Sequence, residues 1–135
     1  MVKAKVFIVC ISVLIFVFSA IAAYQLYALE RSIARSFYTD ILDDMQDIGY
    51  LDPELAAYYL REMEELGWSV TEDVFAGSSP RNASERARKE RQENVTLVVT
   101  VYPSRVAQWL HRFLEGEVAF TFAGSRPSEY FDPEW

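Results

Sequence analysis

Few side chains in this 135-residue chain are suited to a reaction centre, and their spacing limits what they could do. The one histidine, His111, has no serine or cysteine beside it in a nucleophile motif, so it reads as a packing or surface residue rather than a general base. Asp40, Asp43, Asp44 and Asp47 recur at spacings of three and four, which places them on one helix face. There they could hold a cation or form a carboxylate pair. The glycine and terminal glutamate of an EF-hand loop are missing, and a solvated acidic face has the same spacing. Cys10 is the only cysteine, which excludes an intramolecular disulfide and a cysteine zinc site. It sits in an apolar run, where a thiol behaves as a small hydrophobe. There is no glycine-rich phosphate loop, nucleophile elbow or metalloprotease pattern. Asn82-Ala83-Ser84 and Asn94-Val95-Thr96 match the glycosylation sequon, a short pattern that often arises by chance. The chain therefore reads as non-enzymatic, with no cofactor, no metal and no small-molecule substrate.

Charge is distributed in blocks. The net charge is −7, which argues against nucleic acid as a partner, because phosphate binding needs a positive surface. All twenty acidic residues lie at or after Glu30. Between Asp40 and Asp73 the only base is Arg61, whereas Ser78 to Gln92 carries Arg81, Arg86, Arg88, Lys89 and Arg91, with Glu85 and Glu90 interleaved. Two readings stand for that basic stretch. It is a solvated, mobile loop, or Arg86, Arg88, Lys89 and Arg91 form an interaction surface for an acidic neighbour or anionic lipid. It contains almost no apolar residue, which favours a loop that folding can do without.

The elements that would position these groups begin with an apolar head. Val6 to Leu29 has no charged residue, and 24 residues of helix reach about 36 Å, enough to cross a bilayer. Tyr24 and Tyr27 fall where an interfacial aromatic belt belongs. Three readings fit this run. The first is an uncleaved signal anchor. The second is a cleaved signal peptide, with Lys3 and Lys5 as its basic region and Ala20-Ile21-Ala22 as the cleavage site. The third is a lipoprotein using Cys10, although Ile8-Val9 is a poor lead-in. The anchor reading divides the chain into a transmembrane segment, residues 1–29, and an extracytoplasmic domain, residues 30–135, with a polar loop at 77–92. Lys3, Lys5 and the N-terminal amine set against Arg31 and Arg35 favour a single-pass protein of the cell membrane, with its N-terminus cytoplasmic.

Leu26, Leu29, Ile33, Phe37, Ile41, Met45 and Ile48 continue as one apolar stripe of an amphipathic helix. No glycine or proline interrupts the chain before Gly49, so one helix of about 65 Å is expected over residues 5–48. Two helices with a bend near Glu30 are the alternative. Leu29, Ile33, Phe37 and Ile41 are the surface against which a sheet would fold, or which a partner helix would cover. Asp52-Pro53-Glu54 starts a second helix with an N-cap, a first-turn proline and an acid, and Gly67 ends it. Trp68 to Phe75, Glu93 to Tyr102 and Glu117 to Ala123 read as three strands, with Val95, Leu97, Val99, Val118, Phe120 and Phe122 on one apolar face. Ser104 caps a short helix through Leu114, and Gly124 to Ser128 is turn-like. The fold class is α+β: a long transmembrane-plus-amphipathic helix, a second helix and a small antiparallel sheet of about three strands.

Four stretches carry a family likeness. They are D-D-M-Q-D-I-G-Y at the end of the long helix, the helix E-L-A-A-Y-Y-L-R-E-M-E-E-L-G-W, the strand N-V-T-L-V-V-T-V-Y, and the ending F-A-G-S-R-P-S-E-Y. In this order of parts the chain resembles type IV pilin-like proteins, and within them the small TadE-like membrane proteins of bacterial tight-adherence systems. The resemblance implies a pilin-like fold and a role as a minor pilin-like or pilus/secretion assembly component. Its implied partners are proteins met through helix packing, including other copies of the chain in an oligomer or filament. A membrane-anchored accessory or binding subunit of another envelope complex has the same layout. The chain departs from the pattern at the prepilin peptidase signal, a glycine followed five residues later by glutamate. No glycine precedes Gly49, and the first glutamate is Glu30.

Overall fold

A computed structural model describes residues 2–70 and 73–131. Helix α1, Val2–Ile48, is uninterrupted, so the chain does not divide into two helices near Glu30. Among the described residues nothing buries its apolar half, and a hydroxyl there is satisfied locally, Ser12 Oγ donating to the Ile8 carbonyl at 2.8 Å. By length and composition this helix is able to cross a membrane. Packing begins at Tyr27, three residues before the expected start of the domain, and runs on through Glu30, Ala34, Ile41, Leu42 and Met45. Gly49, at φ +84°, ends the helix, and a Cβ there would meet the Ala87 carbonyl oxygen at 2.3 Å.

Helix α2, Pro53–Glu65, starts at the expected Asp52 cap, whose carboxylate accepts from the Glu54 amide at 3.0 Å. It returns along α1 and buries Ala56 and Met63. Strand β1, Asn94–Val101, alternates cleanly, with Val95, Leu97, Val99 and Val101 fully buried. Helix α3, Arg105–Glu115, follows its Ser104 cap and ends at Gly116. Strand β2, Phe120–Pro127, pairs antiparallel with β1, from Val101 opposite Phe120 to Asn94 opposite Pro127.

Among the described residues the sheet has two strands, and a third is not seen. The segment expected as the first strand includes Thr71 and Glu72, which lie outside the described residues. The remainder accompanies the free edge of β1 without regular pairing. Ser69 bridges Tyr102, the Thr100 amide donates to the Val74 carbonyl at 2.9 Å, and Ser79 bridges Thr96. Between those two bridges ten steps of chain oppose six on β1. With chain lengths this unequal, no constant register can form. Ser78 fills the gap, its hydroxyl accepting from the Val98 amide at 3.0 Å and donating to the Val98 carbonyl at 3.2 Å. This irregular cover still protects the edge that an isolated pair would expose.

The last strand is displaced toward the C-terminus from its expected place at residues 117–123. Val118 lies before it, and the turn-like Gly124 to Pro127 lies within it. The reason is a close approach. Tyr38 on α1 stacks on Phe122 at 5.8 Å between ring centres, and a Cβ on Gly124 would lie 2.0 Å from the Tyr38 hydroxyl. Glycine here lets helix and strand meet rather than turning the chain.

Gly124→Ala should therefore cost about 1–3 kcal/mol, the range for overpacking a filled site. In a Tyr38→Phe background, which removes the hydroxyl that clashes, that cost should shrink. Thermal unfolding of the four proteins of the cycle measures the coupling. Equal costs in both backgrounds would show that the tyrosine is not the obstacle.

Candidate functional site

The main concentration of buried polar groups surrounds one turn of α1, from Tyr27 to Arg31. Glu30 was expected only as the first charge beyond the apolar run, yet it is buried. Its carboxylate accepts from Trp68 Nε1 at 3.1 Å, from the Ser104 amide at 3.3 Å and from Ser104 Oγ at 2.7 Å. It thus faces the N-terminus of α3, where a negative charge is favoured by the helix dipole. Three elements that are distant in sequence meet on this one side chain.

Tyr27 was expected beside Tyr24 in an interfacial belt. It instead turns inward and is buried against the paired rings of His111 and Phe120, at 5.8 and 5.7 Å. Its hydroxyl lies 2.8 Å from His111 Nδ1 and accepts from Arg31 Nη1 at 3.3 Å. Both contacts share the phenol oxygen, and the imidazole's other nitrogen, Nε2, faces Glu115. That nitrogen is 3.9 Å from Glu115 Oε2, and Glu115 Oε1 takes a 2.8 Å bond from Arg31. The four residues close a ring, and the Glu115 bond holds the Arg31 guanidinium above its already high pKa. Beside the ring is a pocket of about 50 Å³, lined by Arg31, His111, Glu115 and Phe120 among others, with room for water rather than a substrate. His111 thus has the packing use read from the sequence. The arrangement can orient helices, and it presents no activated nucleophile.

The other expected site residues scatter. Tyr24 is exposed, as are Leu29 and Arg35, while Ile33 and Phe37 are half-buried and Ile41 is fully buried. Leu29 therefore lies off the packed stripe, because the buried phase of α1 runs through Tyr27, Glu30 and Ala34. Phe37 meets Tyr59 at 5.6 Å and Trp68 at 6.1 Å, both edge-on, so it joins α1 to α2, whereas Tyr38 covers the sheet. Among the described residues Asp40, Asp43, Asp44 and Asp47 form no metal-holding cluster. Asp43 pairs with Arg126, and burial together with Asp47, Asp40 and Asp43 pushes the Asp44 carboxyl up from its ordinary value.

The basic stretch is packed against the domain rather than solvated throughout. Ala87 is buried, its amide donating to the Gly49 carbonyl at 2.7 Å and its carbonyl accepting from Ser128 Oγ at 2.8 Å. The Pro80 carbonyl accepts from the Leu51 amide, and the Lys89 amide donates to the Tyr130 carbonyl. The Arg86 guanidinium lies between two rings, 4.9 Å from Tyr50 and 4.4 Å from Tyr130. Arg88 approaches the buried Glu90 at 3.9 Å, and Arg91 is exposed near Glu93. Composition misled here because the stretch packs through backbone hydrogen bonds and cation–π contacts, neither of which needs an apolar side chain.

No family model, curated protein or solved structure matches the chain.

Glu30→Ala strips the partner from Trp68 and Ser104 and should cost about 3 kcal/mol, read as a lowered denaturation midpoint together with an altered Trp68 near-ultraviolet signal. Arg86→Ala should cost about 1–2 kcal/mol through its two ring contacts. The exposed Arg91→Ala should stay within about 0.5 kcal/mol by the same measurement.

Proposed function

We propose that this chain is a non-enzymatic, single-pass protein of the cell envelope. Its N-terminus is cytoplasmic and its C-terminal domain lies outside, and it serves as a minor pilin-like component or assembly factor of a pilus or secretion system. One observation carries the reading: α1 is a single helix whose apolar first half stands clear of the domain and whose second half is the domain's own spine. A separately folded enzyme on a tether would have no need for that continuity. A rigid helix shared between membrane and domain suits a part whose orientation matters to its neighbours. The α+β domain, with a second helix and a small antiparallel sheet laid on the spine, agrees in layout with the pilin-like resemblance.

A second reading has its own support. Glu30, the first glutamate, is fully engaged inside the domain rather than free within the apolar run, and the peptidase glycine is missing. Both favour an anchored accessory subunit of an envelope complex over a processed filament subunit.

After alkaline carbonate extraction the full-length chain should remain in the membrane pellet. A soluble species beginning near Ala23 would establish a cleaved signal peptide and end the anchor reading. Cys10, exposed on the apolar half of α1, is a native reporter for the next step. A bifunctional thiol crosslinker applied to membranes should trap a homodimer if these helices pack together in a filament or oligomer. Adducts with other proteins alone would favour the accessory subunit.

A further inference from the structure

Helix α3 buries one flank and leaves an apolar one bare. Trp109 is 66% exposed and Phe113 77% exposed, with their rings stacked at 6.0 Å, and Val106 and Leu114 are exposed beside them. Single exposed hydrophobics are ordinary, but two stacked aromatics on one helix face need a cover.

Where this face lies follows from what α3 touches. Its cap, Ser104, bonds Glu30, His111 meets Tyr27, and Glu115 at its end pairs with Arg31. Those α1 residues span only about 6 Å of helix, whereas α3 is about 16 Å long. A helix that meets so short a length of its neighbour along its whole course lies across it. The level of the crossing is Tyr27 to Arg31, where the bare apolar half of α1 ends. The direction is given as well. Glu115 turns to Arg31, one turn further into the domain than Tyr27. At helical spacing Phe113 and Val106 lie opposite Glu115 and so face back along the bare half of α1, with Trp109 at the outer edge of that face, opposite His111.

We propose that α3 is an interfacial helix: it lies flat on the bilayer surface beside the anchor, with Trp109 and Phe113 sunk into the boundary between headgroups and acyl chains. The occupant of the face is lipid, because the face is continuous with the anchor surface and at the level where that surface leaves the membrane. Trp is the side chain enriched at that depth, and an amphipathic helix with one strongly apolar face is the element that lies there. Arg112, next to Trp109 and Phe113 on the open surface, is long enough to reach headgroup phosphates. The domain is then held at two points, which fixes its tilt as well as its distance from the membrane.

This proposal rests on the anchor reading, so the test separates the two. Full-length protein and its Trp109→Phe variant are reconstituted into phosphatidylcholine vesicles with plain or brominated acyl chains, and flotation and carbonate resistance are scored first. Wild-type tryptophan emission should be quenched by the brominated lipid, more by bromine near the carbonyl end of the chain than by bromine near the bilayer centre. Trp109→Phe should lose that quenching while still floating. Floating proteins quenched equally, with or without Trp109, would overturn the interfacial helix and leave the anchor standing. Proteins that do not float would overturn both. If Trp109 emission escapes bromine but shifts with protein density in the membrane, a second copy covers the face and the lipid proposal fails.

Discussion

One turn of α1, from Tyr27 to Arg31, has to serve two surroundings at once, and the rest of the domain is arranged to let it. On one side of that turn the helix is bare and apolar; on the other it is the spine of a folded domain. A carboxylate and a phenol are buried at the boundary, and neither tolerates burial without partners. Glu30 recruits Trp68 from beyond α2 and Ser104 from the start of α3, while Tyr27 recruits His111 from the middle of α3. Satisfying these two side chains fixes α3 across α1 and ties the chain that follows α2 to the same point. Because α1 has no break there, any tilt of the apolar half is passed directly to the domain.

Beyond that turn, α1 divides its faces between two clients. Phe37 meets Tyr59 of α2 and Trp68, while Tyr38 covers Phe122 and Gly124 of the sheet. A two-stranded sheet is too small to be stable alone, so it depends on the helix beneath it and on the irregular segment along its edge. The far end is closed differently. There Gly49, Ala87 and Ser128 exchange backbone and hydroxyl bonds, and Arg86 fills the space between Tyr50 and Tyr130. The domain is thus pinned by buried polar groups at one end and by charge against aromatic faces at the other, with the aliphatic core between.

Taken with the proposed envelope role, this architecture describes a part built for fixed geometry. A flexible linker after the anchor would let the domain search for partners. A continuous helix, with α3 laid across it where the domain begins, presents the same surfaces in the same orientation each time. That suits a component which others are assembled against, and it gives the exposed aromatics of α3 a place that a freely tumbling domain would not.

The amino-acid sequence by itself determined what depends on short-range pattern. The uncharged run, the absence of glycine or proline before Gly49, the Asp52-Pro53 start and the Val95 to Val101 alternation each specify an element through local geometry or hydrophobic period, and each stands where it was read. Tertiary structure alone decided what depends on which surfaces meet. Gly124 looks like a turn residue until Tyr38 is seen lying on it, because a missing Cβ serves a turn and a close approach equally well. Trp68 to Phe75 has strand composition, but pairing needs equal chain lengths between bridges, and no single segment reveals that. The Ser78 to Gln92 stretch looks solvated because its anchors are amides and carbonyls, which every residue carries. Glu30 and Tyr27 look like the edge of a membrane segment, and only the return of Ser104, Trp68 and His111 to that turn makes burying them favourable, since a buried polar group is decided by its partners and those lie tens of residues away.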